Sequence, residues 1–345
     1  MQLHSKSSRA WSAFALSAAF LLAGCSVAST AEPAPHPTTA PPTVPPLTAQ
    51  IPQKPDEPGN GQTTFATDED AASAFVAAVA ADDHDKVHQI LGPQWKELLT
   101  GDKVQDANAF KDFATHAAEH HQLEMKNADL VILDIGNNDW PFPIPIVRTD
   151  NGKWFFDTLA GKAEILARHI GADELGAIDV CRAYVRAQRE YYRTPHEDDL
   201  LEYAQRILSK PGTEDGLYYP VAAGQTESPF GPLIADAEME GYPAPENTPQ
   251  SPERHPPYHG YHFRILKAQG ADAPGGAYSY IINGHMLAGF ALVAFPDKYG
   301  SSGIMTFVIN QRGKVYQKDL GPNTTDLARH VTDYNPDSTW ALEQE

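Results

Sequence analysis

The chain has 345 residues, with 45 acidic against 26 basic side chains and a formal charge of −19. That length leaves room for two domains, and that acidity argues against nucleic acid and anionic headgroups as ligands. The only cysteines are Cys25 and Cys181, so a disulfide-stapled class is excluded once Cys25 has another role.

Residues 1–25 read as an export leader. Lys6 and Arg9 precede an apolar run, Ala10 to Leu22, too short for a stable membrane span. The run ends in Leu22-Ala23-Gly24-Cys25, which resembles the lipobox of bacterial lipoproteins, where the cysteine becomes the diacylated N-terminus. The resemblance implies lipidation (palmitate-type chains) of Cys25. It also implies a membrane as partner and an extracytoplasmic address in the cell envelope. The alternative is an ordinary secretory signal with an incidental cysteine. Several acyl chains on one residue anchor stably where one does not. Residues 26–64 are dominated by Pro, Thr and Ala without apolar periodicity. They predict an extended spacer, reaching up to about 100 Å at ~3.1 Å per residue.

An N-terminal α+β unit is predicted over 65–157. Thr67-x-x-Asp70 marks a helix start, and Phe75, Val76 and Val79 form its apolar stripe. Val87, Ile90 and Leu91 predict a short helix stopped by Gly92-Pro93, and a longer helix is predicted from Asp106 to His121. Residues 129–135 are strand-like. Phe142 to Arg148 alternates proline with apolar residues, which predicts an edge strand or an extended segment because proline cannot donate to a ladder. Asn151-Gly152 turns the chain into Trp154-Phe155-Phe156. Helices followed by a small antiparallel sheet resemble the cone of the nuclear-transport-factor-2 type. A ligand cavity there needs Phe75, Phe110, Trp140 and Trp154 around it.

Central helices and an irregular connection are predicted over 158–256. Thr158 to Arg193 is helical in pattern with a break at Gly171, and Ile178, Cys181, Val185, Gln188 and Tyr192 share a face. Cys181 therefore reads as core. Arg182, Arg186, Arg189 and Arg193 form a second stripe, either a solvated face or an acceptor for acidic groups. Short helices are predicted at 200–208 and near 232–240.

Residues 257–345 predict a C-terminal antiparallel β-meander capped by a helix. Its five strands are 261–265, 278–282, 286–295, 304–310 and 314–319, with Asn283-Gly284 as the clearest hairpin turn. A helix follows over 323–331. The fold class is thus α+β.

Several stretches resemble one bacterial exported family, domain of unknown function 2950. They are NDWPFPIPI, GKAEILARHIGADELGAIDVCRAYVRAQREY, LEYAQRILSKPGTEDGLY, GYHFRILKAQG, GFALVAFPDKYGSSGIMTFVINQRGKVYQKDLG and YNPDSTW. The resemblance covers about 64–340 and implies an envelope protein without implying an activity. Family members often carry an Asp-rich segment at the position of 192–199, and here its alternating acids and turn glycine are missing.

Candidate chemistry is sparse. His255, His259 and His262 have a spacing that could ligate zinc, although Pro256-Pro257 interrupts it. His116, His120 and His121 sit where a helix ends and suit carbonyl capping. Gly300-Ser301-Ser302-Gly303 reads as a turn, not a nucleophile elbow. No cofactor motif is present in the sequence. Tyr258, Tyr261, Tyr278, Tyr280 and Tyr299 make the last sheet tyrosine-rich, suiting either packing or a partner surface. Three readings follow. The first is a non-catalytic binding or scaffolding lipoprotein with an envelope protein or polymer as partner. The second is a hydrolase using His259 with a carboxylate such as Asp297. The third is a small-ligand module in the N-terminal unit.

Overall fold

The computed structural model describes residues 57–195, 199–222, 224–243 and 257–344. The leader with Cys25, the spacer up to residue 56, residues 196–198 of the family's Asp-rich position, and His255 lie outside them.

The Thr67 hydroxyl accepts the Asp70 N–H at 3.0 Å and starts α1 (Asp68–Ala80), which buries Phe75, Ala78 and Val79. Helix α2 (His84–Leu91) stops at Gly92, and a 3₁₀ turn follows over Pro93–Leu98. Helix α3 (Lys103–Glu119) starts ahead of Asp106 because Asp102 caps it, accepting the Val104 and Gln105 N–H groups. The His121 ring meets the Ala117 carbonyl at 3.0 Å, as the helix-end reading expects.

A wholly antiparallel sheet follows. It comprises β1 (His121–Asn127), β2 (Leu130–Ile135), β3 (Trp140–Pro141), β4 (Ile146–Arg148) and β5 (Trp154–Phe156), in order β1-β2-β4-β5 with β3 on β2. Of the two readings of the proline run, the edge strand fails and the non-strand one holds for residues 142–145. Only 146–148 pairs, between β2 and β5, and Pro143 and Pro145 precede the ladder, where their missing donors do no harm. The helices cover one face through Phe75, Phe142, Ile144, Ile146 and Phe156.

Helix α4 (Thr158–Tyr191) spans 34 residues without a break at Gly171. A Cβ at Gly171 would meet nothing within 4 Å, so this glycine costs only its ~1 kcal/mol propensity, which the packed turns on either side override. The helix is roughly 50 Å long, and its two ends serve two cores. Ile165 packs on the N-terminal core, while Ala177, Ile178, Cys181, Tyr184, Val185 and Tyr191 enter the C-terminal one. Gln188 shares that buried face, whereas Tyr192 falls past the helix end and is partly exposed.

The helix expected at 200–208 is extended chain. The buried Gln188 amide donates to the Ala204 carbonyl at 2.8 Å and accepts its N–H at 2.9 Å, and the Tyr203 N–H donates to the Met286 carbonyl at 2.9 Å. These partners satisfy the backbone without a helix. Helix α5 (Gly231–Glu240) then ends at Gly241.

The C-terminal strands are β6 (Tyr261–Leu266), β7 (Ala268–Gln269), β8 (Tyr278–Ser279), β9 (Ile281–Ile282), β10 (His285–Met286), β11 (Ala291–Pro296), β12 (Met305–Asn310) and β13 (Val315–Asp319). Helix α6 (Thr324–Arg329) and β14 (Ala341–Leu342) close the chain. The main sheet has five antiparallel strands in the order β14-β13-β12-β11-β6. The expected second strand is not among them. Residues 278–282 divide into β8 and β9, which pair with β7 and β10, and β14 supplies the fifth strand. Strand β11 is buried throughout between β6 and β12, as its apolar run requires. The architecture is α+β, with helices and a small antiparallel sheet first, then an antiparallel sheet packed against α4 and α6. Among the described residues no helix is long and apolar enough to cross a membrane.

Candidate functional site

The five tyrosines do not form a shared surface. Tyr261 and Tyr280 have no exposed area, and the Tyr261 hydroxyl donates to the Met305 carbonyl at 2.8 Å inside the core. This corrects the partner-face expectation for both. Strand alternation identifies one face, but here helices and loops cover it. Tyr258 and Tyr299 are half-buried and donate to Glu240 at 3.4 Å and Asp319 at 3.2 Å; Tyr278 is exposed. The arginine stripe also divides. Arg182 pairs with Glu343 at 2.9 Å and Arg189 donates to the Gln311 carbonyl at 3.0 Å, while Arg186 and Arg193 are exposed. Nor do the four proposed cavity rings surround a common space. Phe75 is buried against Phe113, Phe142 and Phe156, Phe110 packs on His84, and Trp140 lies outside with Arg168 over its ring. Cys181 is fully buried, and burial pushes its thiol up to about 12, which fits core and not nucleophile.

The histidines part company as well. His262 on β6 meets Asp297 at 2.9 Å, whereas His259 meets Glu240 at 2.9 Å. Asp297 is therefore not the carboxylate partner of His259. No group of three or more His, Cys, Asp or Glu side chains among the described residues could hold a metal ion.

His259 sits in a tight turn. Tyr258 and Tyr261 exchange backbone hydrogen bonds at 3.0 and 3.1 Å, with His259 at φ 45° and Gly260 at φ 65° between them, as in a type I′ hairpin. The turn delivers His259 to a joint where α3, α4 and the end of α5 meet. Gln105 Nε2 donates to Asp173 Oδ1 at 2.6 Å and to His259 Nδ1 at 3.1 Å. Since Nδ1 accepts, His259 carries its proton on Nε2 and donates it to Glu240. The Tyr242 and Tyr258 rings flank the imidazole, and the Tyr242 hydroxyl donates to Asp102 at 2.8 Å. Asp173 is 1% exposed, and burial pushes its carboxyl up to about 7 against the lowering hydrogen bond from Gln105, with Asp102 and Glu174 adding to the rise. His169, 3.1 Å from Asp173, is lowered by burial. Ser302 packs near Gly260, but its hydroxyl is already bonded to the Lys298 backbone at 2.9 and 3.2 Å. The joint holds an acid-paired imidazole and a buried acid, without a free nucleophile in those contacts.

A groove of about 420 Å³ opens elsewhere, beside the β9–β10 hairpin. Its lining includes Tyr191, Glu202, Tyr203, Arg206, Asp215 and His285. Tyr203 is held by its bridge to Met286 and stacks on Tyr192 with ring centroids 4.6 Å apart. Glu202 lies 3.2 Å from His285, and Arg206 lies 3.4 Å from Asp215. Burial raises the Asp215 carboxyl, but the Lys210 N–H, the Thr213 hydroxyl and Arg206 together hold it below the ordinary carboxylate range. The groove thus combines aromatic surface with fixed charges of both signs. Sequence reasoning missed it because its residues come from a segment read as helix and from a hairpin read for its turn alone. At the joint it missed Gln105, Asp173 and Glu240; the helical spacing of His169 and Asp173 was the one local signal.

Over residues 62–342 the sequence matches the family described as "Protein of unknown function (DUF2950)". No curated protein and no solved structure matches the chain. The matched span runs from just before α1 to the end of β14, taking in both cores, the joint and the groove. The chain therefore belongs to the DUF2950 family of proteins of unknown function.

Proposed function

We propose that this chain is a lipid-anchored protein of the bacterial cell envelope that binds an envelope protein or polymer without turning it over. Cys25 carries the lipid, and residues 26–64 hold the folded part away from the bilayer. The groove beside the β9–β10 hairpin is the binding site. The observation that supports this reading best is the groove itself, with two tyrosines, three acids, an arginine and a histidine around one opening. Such a lining suits a polar chain that offers both donors and acceptors together with faces to stack on. The test is retention of envelope components on immobilised protein. Wild type and the joint variant His259→Asn should retain the same component, and Arg206→Ala with Glu202→Gln should lose at least tenfold. Equal retention by the groove variant would sink the assignment.

A hydrolase is the second reading, carried by the His259–Glu240 pair at 2.9 Å. It requires that purified protein turn over a cell-wall or peptide substrate and that His259→Asn abolish this turnover.

A further inference from the structure

The joint around Asp173 contains a buried acid that no lysine or arginine among the described residues pairs with. From the start of α3 it faces Asp102 and Gln105. From α4 it faces His169 and Glu174, and from the turn and sheet Tyr261 and Ser302, while His259 reaches it through Gln105. Asp173 Oδ1 accepts one hydrogen bond, from Gln105 at 2.6 Å. Oδ2 is buried and receives none, although His169 Nε2 is 3.1 Å away. A carboxylate here would be a buried charge with a single donor, ringed by other acids. A neutral acid fits better, because it removes a buried charge that a single hydrogen bond does not offset.

We propose that Asp173 is a proton-operated latch: as a neutral acid it ties α3, α4 and the 258–261 turn together, and its ionisation loosens that joint. The proton leaves Oδ2 for solvent, and the charge left behind faces Asp102 and Glu174. The direction in pH follows from the carboxyl's rise from the ordinary 3.8 to about 7 in the folded chain. Between those values the folded protein holds a proton that the unfolded chain has lost. The latch is therefore strongest below pH 4, weakens as pH rises, and is lost above pH 7. It operates independently of the groove.

Asp173→Asn tests this, because asparagine keeps an oxygen for Gln105 and stays neutral at every pH. The two proteins should melt together near pH 4 and below, and the variant should melt higher by roughly 5 °C or more near pH 8. Hydrogen exchange at residues 102–106 and 258–261, corrected for intrinsic rate, should quicken above pH 7 in wild type alone. Parallel melting curves across this range, or a variant less stable at pH 8, would overturn the proposal. Should the variant fail to fold, unchanged wild-type exchange across pH 7 overturns it just as well.

Discussion

Gly260 shows how closely the 258–261 turn approaches the buried acid. A Cβ on it would stand 2.5 Å from Asp173 Oδ2 and 2.6 Å from the Ser302 Cβ, and the residue already occupies φ 65°. Gly260→Ala should therefore destabilise the fold by about 2 kcal/mol or more, read as a fall in thermal midpoint. A change under about 0.5 kcal/mol would mean the turn can move off α4. His259, its neighbour, is held at φ 45°, a conformation costing a non-glycine residue ~1 kcal/mol. Its side chain was the residue most visible in sequence, yet its partners were not. Glu240, Gln105 and Asp173 are separated from it by 19 to 154 positions for the two that it bonds directly, and no local pattern encodes such contacts. Cys181 was legible for the opposite reason: its environment is its own helix face.

Among the elements, periodicity identified those whose burial is set locally. The Thr67 cap, the Gly92 stop, the Asn283-Gly284 hairpin and strand β11 follow from neighbouring residues. Where a distant group satisfies the backbone, local pattern misleads. Residues 200–208 have helical composition, but Gln188 on α4 and Met286 on β10 hold the chain extended. Gln188→Ala leaves both backbone groups of Ala204 without that partner in a buried site, at about 1–3 kcal/mol for each group left unsatisfied. The expected result is faster hydrogen exchange over 203–218, together with a lower melting midpoint. Exchange confined to its wild-type rate would show that the Met286 bridge alone holds the segment. The 278–282 strand failed for a related reason. Its pairing partners are the short β7 and β10, not the main sheet.

On the scale of the whole molecule, one helix ties together two cores, and the family match covers both. The α+β class was readable because it depends on the order of elements. The groove was not, because it forms only when the extended 199–218 segment lies beside the β9–β10 hairpin. The proposed placement outside the cytoplasm rests on the lipobox-like sequence at Cys25. Cys25→Ser should move the protein from the membrane fraction to the soluble one and remove the mass of its acyl chains, and retention in the membrane would point to another anchor. The binding claim is tested most directly by photo-crosslinking in intact cells. A photoreactive side chain replaces Arg206, which is exposed at the groove, and in a separate protein it replaces Met125, exposed at 70% on β1. The expected outcome is a discrete adduct from position 206 that position 125 does not give. Identical adducts from both positions, or none from 206, would contradict the account.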